Sequence, residues 1–92
     1  MDGSGNPVAP ARVVLTRGLS TRYTGGVTEF HIQATNMRGV VLAMDKLYPG
    51  IGDHLEVDTT VAIDGEIHET LAYSHPVKPG AEIFFIPKLE GG

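Results

Sequence analysis

The chain has 92 residues, of which 41% are hydrophobic and 20% charged, and it carries a formal net charge of −4. This size and composition predict one soluble globular domain with a modest core. The negative charge argues against a nucleic-acid partner, which would need a basic surface. The chain contains no cysteine, so disulfides, thiolate metal sites and thiol nucleophiles are excluded.

The N-terminal segment is polar and rich in glycine and proline, which predicts a disordered leader over residues 1–11 without a signal peptide. No apolar run approaches the roughly 18 residues that a membrane span needs. We therefore expect a cytoplasmic protein with no membrane partner.

Two strands are predicted next. The β-branched and apolar residues 12–17 favour a first strand that is covered on more than one side. A loop is expected over residues 18–26. Residues 27–33 then alternate, with Thr28, Phe30 and Ile32 on one face, which predicts a half-buried strand antiparallel to the first.

A helix is predicted after this pair of strands. Thr35 and Asn36 are both candidate N-caps, and Pro49-Gly50 ends the helix. Gly39 lowers its intrinsic stability and indicates close packing. The helical apolar stripe, which we assign to the core, consists of Met37, Val40, Val41, Met44, Leu47 and Tyr48.

The connection over residues 50–58 reads as irregular, with Ile51 and Leu55 turned inward. Residues 59–63 predict a third strand. Asp64-Gly65 is typical of a two-residue type I′ turn, so residues 66–68 should form a short returning strand.

Proline and glycine punctuate a loop over residues 71–80, and an apolar final strand then runs to Pro87, which cannot donate to a ladder. Because this strand is uniformly apolar, we place it centrally beside the first strand. A helix with an apolar stripe needs a sheet to cover. The predicted fold over residues 12–87 is therefore α+β, a mixed sheet of four to five strands covered on one face by a single main helix.

Residues 88–92 predict a flexible tail that ends in Gly91-Gly92. If this is the natural end of the chain, its most unusual group is the terminal carboxylate of Gly92. Glycine permits close approach to the backbone, so such an end could pass through a narrow channel in another protein. The alternative is that the two glycines are incidental.

The chain resembles the ubiquitin-like sulfur carriers, a family with the β-grasp fold that includes the small subunit of molybdopterin synthase, the thiamin sulfur carrier and the carrier that feeds a cysteine synthase. The resemblance covers residues 12–92 and lies in DKLYPG at residues 45–50, VAIDGE at 61–66, VKPGAEIFFIP at 77–87 and the final Gly91-Gly92. RYTGG at residues 22–26 is similar to a loop of the cysteine-forming carriers. The tail departs from the family, since Leu89-Glu90 are larger than its usual small residues.

The resemblance implies a carrier rather than an enzyme. An E1-like adenylating and sulfur-transfer enzyme would use ATP to activate Gly92, leaving a thiocarboxylate. A synthase, such as the molybdopterin synthase large subunit or a cysteine synthase, would accept the sulfur. Molybdopterin and cysteine are the favoured pathways and thiamin is possible. The carrier would have no catalytic residue, metal or bound cofactor, and any zinc would belong to the activating enzyme.

Two alternatives stay open. The chain could be a ubiquitin-like modifier joined through Gly92 to lysines of other proteins, or a non-catalytic binding domain. The four histidines, His31, His54, His68 and His75, show no metal-ligand spacing. Asp53-His54 with Ser74 lacks a nucleophile elbow, and Gly25-Gly26 lacks the lysine of a phosphate loop.

A partner-docking surface is predicted on the final strand. Ile83 and Phe85 alternate with Phe84 and Ile86, so one pair should face the helix and the other an open sheet face. Exposed apolar patches of this kind mark partner sites. We expect the surface to consist of Phe84, Ile86, Pro87 and Leu89, with Val14 beside them.

Overall fold

The computed structural model describes residues 9–88 and contains five strands and three helices. The strands are β1 (Ala11–Leu15), β2 (Glu29–Ile32), β3 (Thr59–Ile63), β4 (Glu66–His68) and β5 (Glu82–Pro87). The helices are α1 (Arg17–Tyr23), α2 (Met37–Leu47) and α3 (Ile51–Val57). The first eight residues of the predicted leader and residues 89–92 of the predicted tail lie outside the described part.

The strands form one mixed sheet in the order β2-β1-β5-β3-β4. β5 is parallel to β1 and antiparallel to β3, so the central position predicted for the final strand is confirmed. Ile83 and Phe85 are fully buried in it. The predicted type I′ turn is also confirmed, since Asp64 and Gly65 both have positive φ, 49° and 86°.

The core lies between the inner face of the sheet and the helices. Buried side chains of α2, Met37, Val40 and Met44, belong to the same cluster as those of β1, β3 and β5. The prediction for Leu47 was wrong, because this residue lies at the edge of the stripe in the last turn and is 56% exposed. Tyr48 has left the helix and packs edge-on against Phe30 at 5.8 Å.

Two short helices replace segments predicted as irregular. α1 lies in the predicted loop, where the side chain of Thr16 caps it and Leu19 and Ser20 are buried. α3 occupies the predicted connection, and its inward residues Ile51 and Leu55 are buried as expected. The other departure is Thr28, which is exposed because β2 begins only at the next residue.

The long loop before β5 holds the start of α2. His75 and Tyr73 accept hydrogen bonds through their carbonyl oxygens from the backbone N–H groups of Met37 and Arg38, both at 2.9 Å. Of the two candidate caps, Asn36 is the one used, since its Oδ1 accepts from the N–H of Gly39 at 2.9 Å.

Candidate docking face of the sheet

The outer face of the sheet, opposite the core, carries exposed apolar side chains on its central strand. Phe84 is 36% exposed and Ile86 is 38% exposed, whereas their neighbours Ile83 and Phe85 are buried. This alternation confirms the orientations predicted for the final strand. Pro87 is also exposed, and Leu89 lies outside the described residues.

A further apolar residue on this face, Ile67, was missed by the sequence reasoning. Ile67 pairs with Ala62 across β3 and β4, and Ala62 pairs with Phe84 across β3 and β5, so all three lie on one face. Ile67 is 65% exposed. The type I′ turn could have located it, since a two-residue hairpin fixes the register of its strands. We call Phe84, Ile86 and Ile67 the open-face patch.

A groove of about 600 Å³ runs past Ile67 and Ile86 of the open-face patch to the end of β5. It is lined by Thr60, Ile67, Glu69, Thr70, Ile86, Pro87 and Lys88. The backbone N–H of Lys88 donates to the carbonyl of Asp58 at 2.9 Å, which fixes the chain beside β3 as it leaves the sheet. Gly91 and Gly92, predicted to carry the reactive carboxylate, follow outside the described residues.

The opposite end of the outer face is charged. Arg12 contacts Glu29 through Nε at 3.0 Å and Glu82 through Nη1 at 3.1 Å. The hydrogen bond with Arg12 lowers the pKa of Glu29, and the same bond raises the pKa of Arg12. His31 Nε2 lies 3.3 Å from the same Glu29 oxygen. The open-face patch is therefore bordered by a network of charges across three strands.

The other histidines lie away from this face in local contacts. His54 Nδ1 lies 3.0 Å from Asp58 Oδ2 and 3.2 Å from the hydroxyl of Tyr23, whose ring stacks on it. His68 packs edge-on against His75 with ring centroids 4.7 Å apart.

Within residues 9–88, no three histidine, aspartate or glutamate side chains are grouped so as to hold a metal ion. None of the helices in that range is long and apolar enough to cross a bilayer.

No family model matches the chain, and no curated protein sequence matches it. Several solved structures are similar to this chain, among them the following two. One is a chain of the Amycolatopsis orientalis BexX/CysO complex, with a TM-score of 0.72 and 20% identity, covering 89% of this chain and 99% of that one. The other is the small archaeal modifier protein 1 (SAMP1) from Methanosarcina acetivorans, with a TM-score of 0.70 and 19% identity, covering 95% of this chain and all of that one (100%).

These similarities establish the fold. Both structures are aligned over nearly their whole length, and both have the ubiquitin-like β-grasp fold. The predicted ubiquitin-like β-grasp fold is therefore confirmed.

Proposed function

We propose that this protein is a sulfur carrier whose Gly92 carboxylate is adenylated by a partner and converted to a thiocarboxylate. The observation that carries the proposal is the arrangement of β5. This central strand of a β-grasp sheet exposes Phe84 and Ile86 on the open face and leads from them directly toward Gly91-Gly92. One element thus combines a surface for recognition with the group to be activated.

The chemistry requires an energy source from the partner. A carboxylate is a poor electrophile, so one of its oxygens attacks the α-phosphorus of ATP and pyrophosphate leaves. Hydrosulfide delivered by a sulfur donor then attacks the carbonyl carbon of the acyl adenylate, the bond from that carbon to the phosphate oxygen breaks and AMP leaves. The product is the thiocarboxylate at Gly92, and a synthase takes its sulfur. ATP, and zinc where it is needed, would belong to the E1-like activating enzyme.

The open-face patch supports docking to that enzyme. An apolar surface rimmed by polar residues is typical of a partner site, and here Ile67 extends the surface that Phe84, Ile86, Pro87 and Leu89 were predicted to form. The groove along the patch ends at Lys88, four residues before Gly92. Four extended residues reach about 13 Å, so the enzyme could cover the patch and receive the carboxylate in a nearby channel.

The synthase that accepts the sulfur is proposed from the resemblance of the sequence to the ubiquitin-like sulfur carriers. Similarity to a structure of the BexX/CysO complex supports a role that involves a protein partner. The sequence resemblance favours cysteine or molybdopterin as the product, with thiamin possible. Similarity to SAMP1, a modifier by name, favours a second function, conjugation through Gly92 to lysines of other proteins. Both functions begin with activation of the same carboxylate.

Mass spectrometry of the protein from its native host tests the proposal. A sulfur carrier should show an intact mass raised by the exchange of one oxygen for sulfur, whereas a modifier should yield lysine adducts ending in Gly91-Gly92. A variant with one alanine appended after Gly92 is the control, and it should show neither product. If the appended variant, or one lacking Gly91-Gly92, supports the host as well as the natural chain, both functions are wrong.

A further inference from the structure

Arg12 is the centre of the charged network at one end of the outer face, and it is anchored at two points. It stands on β1, between β2 and β5, and it bonds Glu29 of β2 at 3.0 Å and Glu82 of β5 at 3.1 Å. Because guanidinium is planar and rigid, two anchors on different strands fix its orientation. A lysine at this position would keep the positive charge but would lack the planar, rigid set of N–H donors.

The anchored guanidinium lies beside Phe84. Its central carbon is 6.0 Å from the centroid of the ring, within the range of cation–π attraction. The residues opposite Phe84 on the two neighbouring strands are Val14 and Ala62, whose side chains are short. Such neighbours leave a large aromatic ring room to change rotamer. Contact with Arg12 therefore adds a restraint to a side chain that is partly exposed.

We propose that Arg12 is a positioning residue of the docking face, which holds the ring of Phe84 in the orientation that the activating enzyme receives. This inference rests on the proposed function, because it takes Phe84 to be part of the docking surface. A side chain that is ordered before binding loses less conformational entropy in the complex. Loss of the restraint should therefore weaken docking while leaving the chemistry at Gly92 unchanged.

A double-mutant cycle with the host's activating enzyme tests the coupling. The variants are Arg12→Lys, Phe84→Leu and the double variant, and the assay is ATP-dependent pyrophosphate release. Arg12→Lys should raise KM about two- to fivefold, the factor expected for an exposed cation–π contact, with kcat unchanged. In the Phe84→Leu background the same change should have no further effect, since the ring it positions is gone.

A matched control is available on α1. Arg22 lies 5.9 Å from the ring of Tyr23, away from the sheet face, so Arg22→Lys removes a similar contact. This variant should leave KM unchanged. Circular dichroism melts of all variants confirm that each is folded at the assay temperature.

Side-chain scalar couplings of Phe84 in the free protein give a second readout, which does not depend on any partner. One dominant χ1 rotamer is expected in the natural chain and averaged couplings in Arg12→Lys. Averaged couplings in both proteins would overturn the inference.

The kinetic outcomes separate this inference from the proposed function. If Arg12→Lys raises KM equally with and without Phe84, Arg12 contacts the enzyme itself and the inference is wrong while the function stands. An unchanged KM in Phe84→Leu removes Phe84 from the docking surface and overturns the inference alone. A natural chain that no activating enzyme adenylates overturns the function and the inference together.

Discussion

At the scale of single residues, Tyr73 has the clearest electrostatic signature. Its hydroxyl donates a hydrogen bond to Glu56 Oε1, and this bond, with burial second, raises the pKa of Tyr73 to about 12. The proton is bound more tightly in the folded state than in the unfolded chain, where tyrosine has a pKa near 10. The stabilisation is therefore complete below pH 10 and is lost as the pH rises through 12.

Ultraviolet absorbance of the phenolate checks this prediction. The chain has three tyrosines. The absorbance change that is lost in Tyr73→Phe belongs to Tyr73, and it should occur near pH 12. Glu56→Gln should bring that transition down toward pH 10, because the amide carries no charge to oppose the phenolate. A transition of Tyr73 that does not move in Glu56→Gln would contradict the prediction.

At this scale, sequence reasoning succeeded where the position of a side chain depends on residues close to it in the chain. The burial of Phe30, Ile83 and Phe85 follows from strand alternation, and Asn36 follows from the chemistry of helix caps. It failed for contacts between residues distant in the chain. Arg12 and Glu82 are 70 positions apart, and they meet only because β1 and β5 are adjacent in the sheet.

At the scale of elements, the junction of α2 and α3 shows why α3 escaped prediction. α3 begins at Ile51, and its N-cap residue Gly50 has no side chain to cap it. The cap is Asp45 of the preceding helix, whose Oδ1 accepts from the N–H groups of Gly50 at 3.1 Å and Gly52 at 2.9 Å. A seven-residue helix is marginal alone and depends on such tertiary contacts. Local patterns in the sequence do not contain them.

Gly52→Ala is predicted to weaken this junction. An added Cβ would lie 3.0 Å from Asp45 Oδ1 and 3.3 Å from Val41 Cγ1, so it would push the capping carboxylate away. Overpacking of this kind costs about 1–3 kcal/mol in the free energy of unfolding. Urea denaturation monitored by circular dichroism gives the value.

Gly18→Ala in α1 is the matched control for Gly52→Ala. A Cβ at Gly18 would meet no atom within 4 Å. Alanine is favoured over glycine in a helix, so this variant should be stabilised by about 0.5–1 kcal/mol. Equal shifts of both variants in the stabilising direction would show that Asp45 moves aside without cost, and the proposed role of the cap would be wrong.

At the scale of the whole molecule, the β-grasp architecture explains how one chain combines a packed core with an exposed apolar face. The helices and the inner face of the sheet share one core, while the outer face is left to Phe84, Ile86 and Ile67. The order of the strands and of the main helix, the central β5 and the two faces of this strand were predictable, because they follow from the apolar pattern of the sequence. The extent of the open-face patch was not, because Ile67 joins Phe84 on this face only through the pairing of β3 with β5, which the hairpin turn alone does not give.

Phe84 lies on the exposed face and the adjacent Phe85 lies in the core. The same substitution, phenylalanine to alanine, can therefore test the exposed face and the core separately. Phe85 is fully buried between β1 and β3, so Phe85→Ala should lower the free energy of unfolding by about 3–5 kcal/mol. Phe84 is partly exposed, and Phe84→Ala should cost about 1 kcal/mol or less.

Phe85→Ala should be the more damaging variant for stability, whereas Phe84→Ala should be the more damaging one for adenylation by the host's activating enzyme. Phe84→Ala should lower kcat/KM for adenylation about tenfold or more, as truncation of a central interface aromatic does. Phe85→Ala, assayed under conditions where urea titration shows it to be folded, should be activated nearly as well as the natural chain. The two residues lie on one strand at the same distance from the tail, within one position, so a general defect in presenting Gly92 would affect both alike. If Phe84→Ala is activated normally, the enzyme binds another surface and the sheet's outer face has no part in docking.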